Sequence, residues 1–294
     1  MKFVCRTNLG TVHSGAIGLV LARPTRLFGV EPFFMELIGG LEEAFSGLGL
    51  SILLQVVTDQ DEELETYRRW SASGVADAVI VFNLVEGDRR PETLAALGLP
   101  AVVVGHWTGE PEFMSVVTDD GGPVQDAARR LLALGHRRIA RVTGPGQLVH
   151  TRRRTAALVQ ACVAAGIEPV VIEGDYTEAS GLAQTRRLLS VGEPPTAIMY
   201  DNDVMALGGL IAADRARVPV PGRLSIVAWD DSTACRLSNP PLTVMGVDVH
   251  RYGLTVGQAV LDVLDGKPAI TRETPLARWI ERGSTGPVTP DLVV

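Results

Sequence analysis

Short runs of apolar residues recur along the whole chain, and they are nearly continuous in Val, Ile, Leu and Ala. Runs of this kind, without a polar residue at every second position, are typical of parallel strands that are covered on both faces. We therefore predict a strand for each run. The eight predicted strands are 16–22, 51–57, 77–82, 100–105, 138–144, 169–174, 196–201 and 224–230.

Amphipathic segments lie between these runs and predict helices. In the clearest, 32–47, the residues Phe34, Ile38, Leu41 and Phe45 recur every three or four positions. Strand–helix alternation of this kind predicts an α/β fold with doubly wound parallel sheets. The other predicted helices are about 61–72, 123–134, 152–165, 178–190, 203–216 and 252–265.

The length of the chain favours two lobes over one. Its 294 residues are comfortable for two domains, and 46% of them are hydrophobic, which is ample for two cores. Eight or more strands are too many for one comfortable sheet. We predict that the lobes divide near residues 134–138.

The chain is acidic, with 34 Asp and Glu against 27 Lys and Arg and a net charge of −7. Binding to duplex DNA needs a basic protein face, and this composition leaves no evident excess of positive charge for one. We expect these residues by themselves to bind DNA weakly or not at all.

Cysteine usage and apolar segments predict a soluble cytoplasmic protein that does not enter a membrane. Cys5, Cys162 and Cys235 have no metal-ligand spacing, and Cys162 falls on an apolar helical stripe, which predicts a buried reduced thiol. The N-terminal sequence lacks the long apolar core of a secretory signal. No apolar run approaches the ~20 residues of a membrane helix.

The motifs of common enzymes are missing from the sequence. There is no Gly-x-Ser-x-Gly, Walker loop or His-Glu-x-x-His, and GPGQLV at 144–149 lacks the last glycine of a dinucleotide-binding loop. The five histidines form no metal-ligand pair at helical spacing, and DND at 201–203 lacks the glycine and distal glutamate of a calcium loop. We predict no enzyme activity, no catalytic residues, no cofactor and no metal.

Four stretches, in order along the chain, carry a resemblance to a known family. The second of them, 116–145, predicts a strand, a paired-acid turn, a helix, a Gly-His-Arg-Arg corner and another strand. Together the four resemble the lac repressor (LacI) family of bacterial transcription regulators over residues 16–285. The stretches are IGLVLARP with EPFFMELIGGLEEAF, VVTDDGGPVQDAARRLLALGHRRIARVTGP, YDNDVMALGGLIAADRARVPVPGRLSIVAWDDS and NPPLTVMGVDVHRYG.

The resemblance implies two α/β lobes joined by three crossovers, as in type I periplasmic binding proteins, with a small effector held in the cleft between them. Such a core would sense the effector and control DNA binding. The alternative is a solute-binding protein for sugar transport, which the missing secretory signal disfavours. The implied division is 1–14 as a linker remnant, 15–134 with 247–275 as the first lobe, 135–246 with 276–286 as the second, and 287–294 as a tail.

The resemblance also implies two macromolecular partners. Family repressors reach operator DNA through a helix-turn-helix headpiece, but only 15 residues precede Ala16, too few for its three helices. The chain is then a core fragment, or its start is misassigned, or it truly lacks a headpiece. Family members form homodimers, and helix 32–47 is our candidate interface, because it carries more apolar surface than one lobe face needs.

The effector is predicted to be a mono- or disaccharide. A sugar has an apolar ring face, which an aromatic side chain can cover, and a fringe of hydroxyls, which charged side chains can grip. In α/β lobes such side chains belong at the carboxyl ends of strands. This chemistry suits a carbohydrate better than a purine.

Four candidate ligand-binding residues match family positions. Asp230 ends the last predicted strand and matches the ligand-binding aspartate, with an N-cap as the alternative. Arg154 occupies the Arg position of an Arg-x-x-Gly motif, here RTAA. Asn202 matches an Asn that opens a helix, where capping is equally open. Tyr176 sits where the family places an aromatic against the ligand, with a surface tyrosine as the alternative.

Two further candidates follow predicted strands in the first lobe. Phe33 lies where relatives place ligand-facing residues. His106 follows the fourth strand, where contact with the ligand and a simple loop position are equally open. Asp119 and Asp120 are predicted helix caps, with contact with the cleft as the less favoured alternative, and Trp229 is predicted to be packed rather than to touch the ligand.

Overall fold

The computed structural model describes residues 14–22, 32–109 and 112–288. The predicted linker up to residue 13 and the predicted tail from residue 289 lie outside the described residues. The strands are β1 (Ala16–Ala22), β2 (Ser51–Val57), β3 (Ala78–Val81), β4 (Ala101–Val104), β5 (Met114–Val117), β6 (Ile139–Thr143), β7 (Val170–Glu173), β8 (Ala197–Tyr200), β9 (Ser225–Trp229), β10 (Thr243–Gly246), β11 (Thr271–Glu273) and β12 (Arg278–Ile280). The helices are α1 (Pro32–Phe45), α2 (Gln60–Ser73), α3 (Arg90–Leu97), α4 (Gly122–Ala133), α5 (Val149–Ala164), α6 (Glu178–Leu189), α7 (Asp203–Arg215), α8 (Thr233–Leu237) and α9 (Val249–Leu264).

The chain folds into two compact units. Of the described residues, unit 1 holds those up to Thr118 together with Asp248–Pro275, and unit 2 holds Asp119–Val247 together with those from Leu276 on. The chain passes from one unit to the other three times, and each unit contains its own six-stranded sheet. The predicted fold class, two α/β lobes joined by three crossovers, is confirmed.

The sheet of unit 1 has the strand order β11-β5-β4-β3-β1-β2, and all neighbouring strands are parallel. Strands β3 and β4 are buried along their whole length, which explains their uninterrupted apolar sequences. Because the strands are parallel, their carboxyl ends lie at one edge of the sheet. His106 and Thr118 follow β4 and β5 at this edge.

Helix α1 packs against α9 through glycines. A Cβ atom on Gly40 would lie 2.1 Å from the backbone oxygen of His250, and one on Gly253 would lie 2.2 Å from that of Leu37. Glycine permits this close approach because it has no Cβ. The apolar surface of α1, which suggested a dimer interface, is therefore largely covered by α9 within the same unit, although Met35 remains 58% exposed.

The sheet of unit 2 has the strand order β12-β10-β9-β8-β6-β7. Its strands are parallel except β12, which runs antiparallel to β10. Strand β12 was not among the predicted strands. A single antiparallel edge strand is a common addition to such sheets.

The first crossover lies earlier in the chain than predicted. We expected the lobes to divide near residue 134, but the division falls after Thr118, so that α4 belongs to unit 2. Helix α4 buries Val124 and Leu131 in one cluster with Ile139 of β6 and Leu158 of α5. The apolar face of α4 thus determines to which unit the helix belongs.

Two smaller predictions concern cysteines and membranes. Cys162 is a fully buried free thiol, as predicted from its place on an apolar helical stripe, and Cys235 is also buried. None of the helices in the described residues combines the length and the apolar character that crossing a membrane requires.

Candidate functional site

Four of the six predicted ligand residues lie in unit 2, near the carboxyl edge of its sheet. Tyr176 follows β7, Asn202 follows β8 and Asp230 follows β9, while Arg154 lies on α5, the helix after β6. The shared edge follows from parallel strands, whose carboxyl ends point the same way. Phe33 and His106 belong to unit 1 and are described separately below.

Arg154 is held by a carboxylate and an aromatic ring. Its Nε donates to Oδ1 of Asp120 at 2.9 Å, and its Cζ lies 3.8 Å from the centroid of the Trp229 ring. The side chain of Arg154 is only 11% exposed. A guanidinium fixed on two sides loses little further freedom when it binds a ligand.

This arrangement corrects the prediction for one of the paired acids. Asp119 accepts hydrogen bonds from the backbone of Gly121 and Gly122 at the start of α4, as a cap would. Asp120 is instead buried and paired with Arg154. Trp229 is 5% exposed and packed, as predicted, and it also carries the guanidinium on its face.

Three carboxyl groups lie within electrostatic range of the Arg154 guanidinium. Burial by itself lowers the pKa of Arg154, but the negative charges of Asp120, Asp201 and Asp230 outweigh it, so that the net pKa is raised. The raised pKa favours the cationic form of Arg154. Because Asp230 contributes to the raised pKa of Arg154, its carboxyl group is within electrostatic range of the guanidinium.

Asp230 has an unusual backbone and does not cap a helix. Its φ is +70°, in the left-handed region, and its N–H donates to the backbone oxygen of Met245 at 3.1 Å. The following helix, α8, is capped by Ser232, so the N-cap alternative for Asp230 is wrong. Residues whose backbone adopts such a sparsely populated conformation are often found at binding sites.

Tyr176 is buried rather than on the surface, so the surface alternative is wrong. It is 7% exposed, its Oη lies 2.8 Å from Nε2 of His150, and its own φ is +70°. A Cβ atom on Gly144 would lie 2.1 Å from the Tyr176 ring, so only glycine allows the ring this position. His150 was not predicted as a site residue.

Asn202 serves as a cap and as a brace for Tyr176. Its Oδ1 accepts from the N–H of Met205 at 2.9 Å, and its Nδ2 donates to the backbone oxygen of Tyr176 at 3.0 Å. The capping alternative is therefore correct. A ligand contact by Asn202 would come in addition to these two bonds.

The structure also contains a charged pair that the sequence analysis missed. Arg141, in the middle of β6, is 2% exposed and bonds Asp201 through its Nη2. Asp201 in turn accepts from the N–H of Gly144 at 2.8 Å through Oδ2. An arginine within an otherwise apolar strand run was the available signal in the sequence.

The carboxyl edge of the unit 1 sheet carries an aromatic cluster. The Phe33 ring lies edge-on to Phe34 at 5.2 Å and to Tyr252 at 6.0 Å between centroids, and Phe82 contacts the last two. His106, in the same unit, has its Nε2 2.9 Å from the backbone oxygen of Thr118, and the hydroxyl of Thr118 donates to Tyr252 at 3.3 Å. Tyr252 and Phe82 were not predicted as site residues.

Two α/β units with polar and aromatic side chains at strand ends define a class of small-molecule binding proteins. In line with this, residues 128–285 match the profile of the periplasmic binding protein-like domain. The chain is 32% identical to the HTH-type transcriptional regulator AglR of Rhizobium meliloti (strain 1021), over 97% of this chain and 81% of that protein.

Solved structures agree with this assignment. A LacI family transcriptional regulator from Bifidobacterium animalis subsp. lactis superimposes with a TM-score of 0.86 at 34% identity, covering 94% of this chain and all of that one. The complex of the transcriptional regulator CelR with cellobiose gives a TM-score of 0.85 at 26% identity, covering 92% and 85%. The chain belongs to the LacI family of transcriptional regulators. Since its relatives are regulators, the predictions of a regulator and of no enzyme activity are confirmed, and the transport alternative is not favoured.

Proposed function

We propose that this chain senses a neutral mono- or disaccharide, which binds at the carboxyl edge of the unit 2 sheet. The observation that carries the proposal is the fixed Arg154, held by Asp120 and Trp229, with Asp230 within electrostatic range. A guanidinium donates to hydroxyl oxygens and a carboxylate accepts from hydroxyls, so together they suit adjacent hydroxyls of a sugar. The CelR relative was solved with cellobiose, which supports this ligand class.

Each predicted residue has a distinct role in this proposal. Asp230 and Arg154 grip hydroxyls, and Tyr176 covers the apolar face of a sugar ring. Asn202 keeps Tyr176 in place through its backbone oxygen. In unit 1, Phe33 and His106 remain predicted ligand contacts.

The bound sugar would act on transcription by favouring one conformation of the protein. A ligand shifts such an equilibrium only through its differential affinity for the two states. Operator DNA would be contacted by a helix-turn-helix headpiece, as the names of the relatives indicate, and not by the acidic core. We further propose that the protein is cytoplasmic and forms a homodimer, as the lac repressor does in its operator complex.

The experiment is a thermal-shift and calorimetric screen of glucose, galactose, ribose, maltose, sucrose and cellobiose. A sugar at 100 times its Kd stabilises the folded state by about 2.7 kcal/mol. For units of this size, that corresponds to a rise in Tm of roughly 5–10 °C. Absence of any shift with all six sugars would contradict the proposal.

Asp230→Asn tests the site itself, because it keeps the side-chain shape and removes the charge. We expect loss of at least about 10-fold in sugar affinity, since hydrogen bonds to charged groups contribute roughly 1.5–3 kcal/mol. Arg153→Ala is the control, since Arg153 is an exposed neighbour of Arg154 on the same helix. Equal affinities of wild type and Asp230→Asn would refute the assignment of Asp230.

A further inference from the structure

Arg141 is the most deeply buried cation of unit 2, and its charge is compensated by one carboxylate. Arg141 is 2% exposed, is the largest fully buried side chain among the described residues, and bonds Asp201. Burial lowers the pKa of Arg141, Asp201 opposes this, and the nearby positive charge of Arg154 adds to the lowering. A cation placed at such cost in the middle of a sheet calls for a specific reason.

One end of this guanidinium has no hydrogen-bond partner among the residues that the structure describes. Nη2 bonds Asp201, but Nη1 is buried and has no hydrogen-bond partner within the described part of the chain. A buried charged donor that stays unsatisfied costs more than an ordinary lost hydrogen bond. Nη1 is therefore a donor that a bound molecule, a water or a ligand, can satisfy.

The pair adjoins the residues proposed to hold the sugar. Asp201 bonds the N–H of Gly144, on which the ring of Tyr176 rests, and it directly precedes Asn202. Arg154 is close enough that its positive charge lowers the pKa of Arg141, and Asp201 interacts with both arginines. Arg141 thus lies beside the proposed sugar site and not in a separate part of the core.

The charge of this cluster indicates what the acceptor is. Among the five side chains Arg141, Arg154, Asp120, Asp201 and Asp230, the carboxyl groups outnumber the guanidinium groups by three to two. An anionic ligand would be repelled by this excess, whereas a neutral oxygen would not. A hydroxyl or ring oxygen of a neutral sugar fits both the unused donor and the charge.

We propose that Arg141 is a specificity-determining residue of the effector site, whose Nη1 donates to a hydroxyl or ring oxygen of a neutral sugar. This inference rests on the proposed function. It predicts that the protein discriminates between sugars by one oxygen position that Arg141 reads. It also predicts that sugar acids and sugar phosphates bind more weakly than their neutral parents.

The test compares Arg141→Lys with wild type by calorimetry, using the sugar from the screen that gives the largest shift. Lysine keeps the positive charge beside Asp201 but has a single nitrogen, so the second donor is lost. We expect an affinity at least about 10-fold weaker. Arg138→Lys is the matched control. Arg138 directly precedes β6, is exposed, and donates from its Nε to the backbone oxygen of Pro194.

A series of deoxy derivatives of the same sugar separates a direct contact from a structural role. If Arg141 bonds one sugar oxygen, the derivative without that oxygen should bind wild type about as weakly as the parent sugar binds Arg141→Lys. Combining the deoxy sugar with the variant should then cause no further loss of affinity. Additive losses at every position would overturn the proposal. The double variant Arg141→Met with Asp201→Asn removes both charges, and the amide oxygen of Asn can still accept from the N–H of Gly144. It provides a second measurement in case Arg141→Lys does not fold. It should fold and show the same loss of affinity.

The outcomes distinguish this inference from the proposed function. If wild type and both Arg141 variants bind a sugar with equal affinity, the proposed function stands and the role of Arg141 is overturned. Wild type that binds none of the six sugars overturns both.

Discussion

Replacement of Arg90 should destabilise unit 1 strongly, because Arg90 pairs with two buried carboxyl groups. Its Nη1 lies 3.0 Å from both oxygens of Glu63, and its Nε and Nη2 bond Asp88 at 3.0 and 2.6 Å. The three side chains are 4%, 1% and 0% exposed. Nη2 also donates to the backbone oxygen of Asn83, which follows the aromatic residue Phe82 at the carboxyl edge of the sheet.

The variant Arg90→Met preserves length and apolar packing but leaves both acids without their cation. Breaking a buried pair from one side costs about 3–5 kcal/mol. At roughly 2–4 °C per kcal/mol for a unit of this size, Tm should fall by about 6–20 °C. Calorimetry with near-ultraviolet circular dichroism would follow the transition of unit 1.

The neighbouring residue provides a matched control. Arg89 pairs with Asp61, but their side chains are 64% and 82% exposed. An exposed pair contributes about 0–1 kcal/mol, so Arg89→Met should leave Tm almost unchanged. If Arg90→Met and Arg89→Met gave the same Tm, the argument from burial would be refuted.

Two further predictions concern stability. Burial lowers the pKa of His136, and the hydrogen bond to the backbone oxygen of Gly286 opposes this only in part. The unfolded chain therefore takes up a proton more readily, so the stability contributed by His136 is present above its unfolded pKa of about 6.5 and is lost as the pH falls below it. Tm measured between about pH 7 and pH 5 should decrease, and it should decrease less in His136→Gln; identical slopes would contradict this. Gly40→Ala should lower Tm clearly, because the new Cβ would lie 2.1 Å from the backbone oxygen of His250. Gly39→Ala should leave Tm almost unchanged, because its Cβ would meet only a side-chain nitrogen at 3.6 Å. Equal effects of the two variants on Tm would argue against tight packing of α1 on α9.

The apolar pattern predicted the main elements, because a parallel strand buried on both faces needs apolar residues at nearly every position. All eight predicted strands form, and β1 and β2 have the predicted bounds. The seven predicted helices also form, with ends that differ by at most three residues. Strand β5 was predicted only as the strand that opens 116–145, and strands β10, β11 and β12 and helices α3 and α8 were not predicted. Except for α3, these elements have three to five residues, too few to show a period.

The sequence by itself also placed candidate residues at strand ends, because an α/β topology brings the carboxyl ends of parallel strands to one edge. It could not determine which side chains meet there. The Arg154–Asp120 contact joins residues 34 apart in the chain, and the Arg141–Asp201 contact joins residues 60 apart. Hydrogen bonds between such distant residues depend on strand order and helix packing, which no local pattern encodes. Likewise only the packed core assigned α4 to unit 2, since an apolar helix face can cover either sheet until the tertiary structure brings one of them against it.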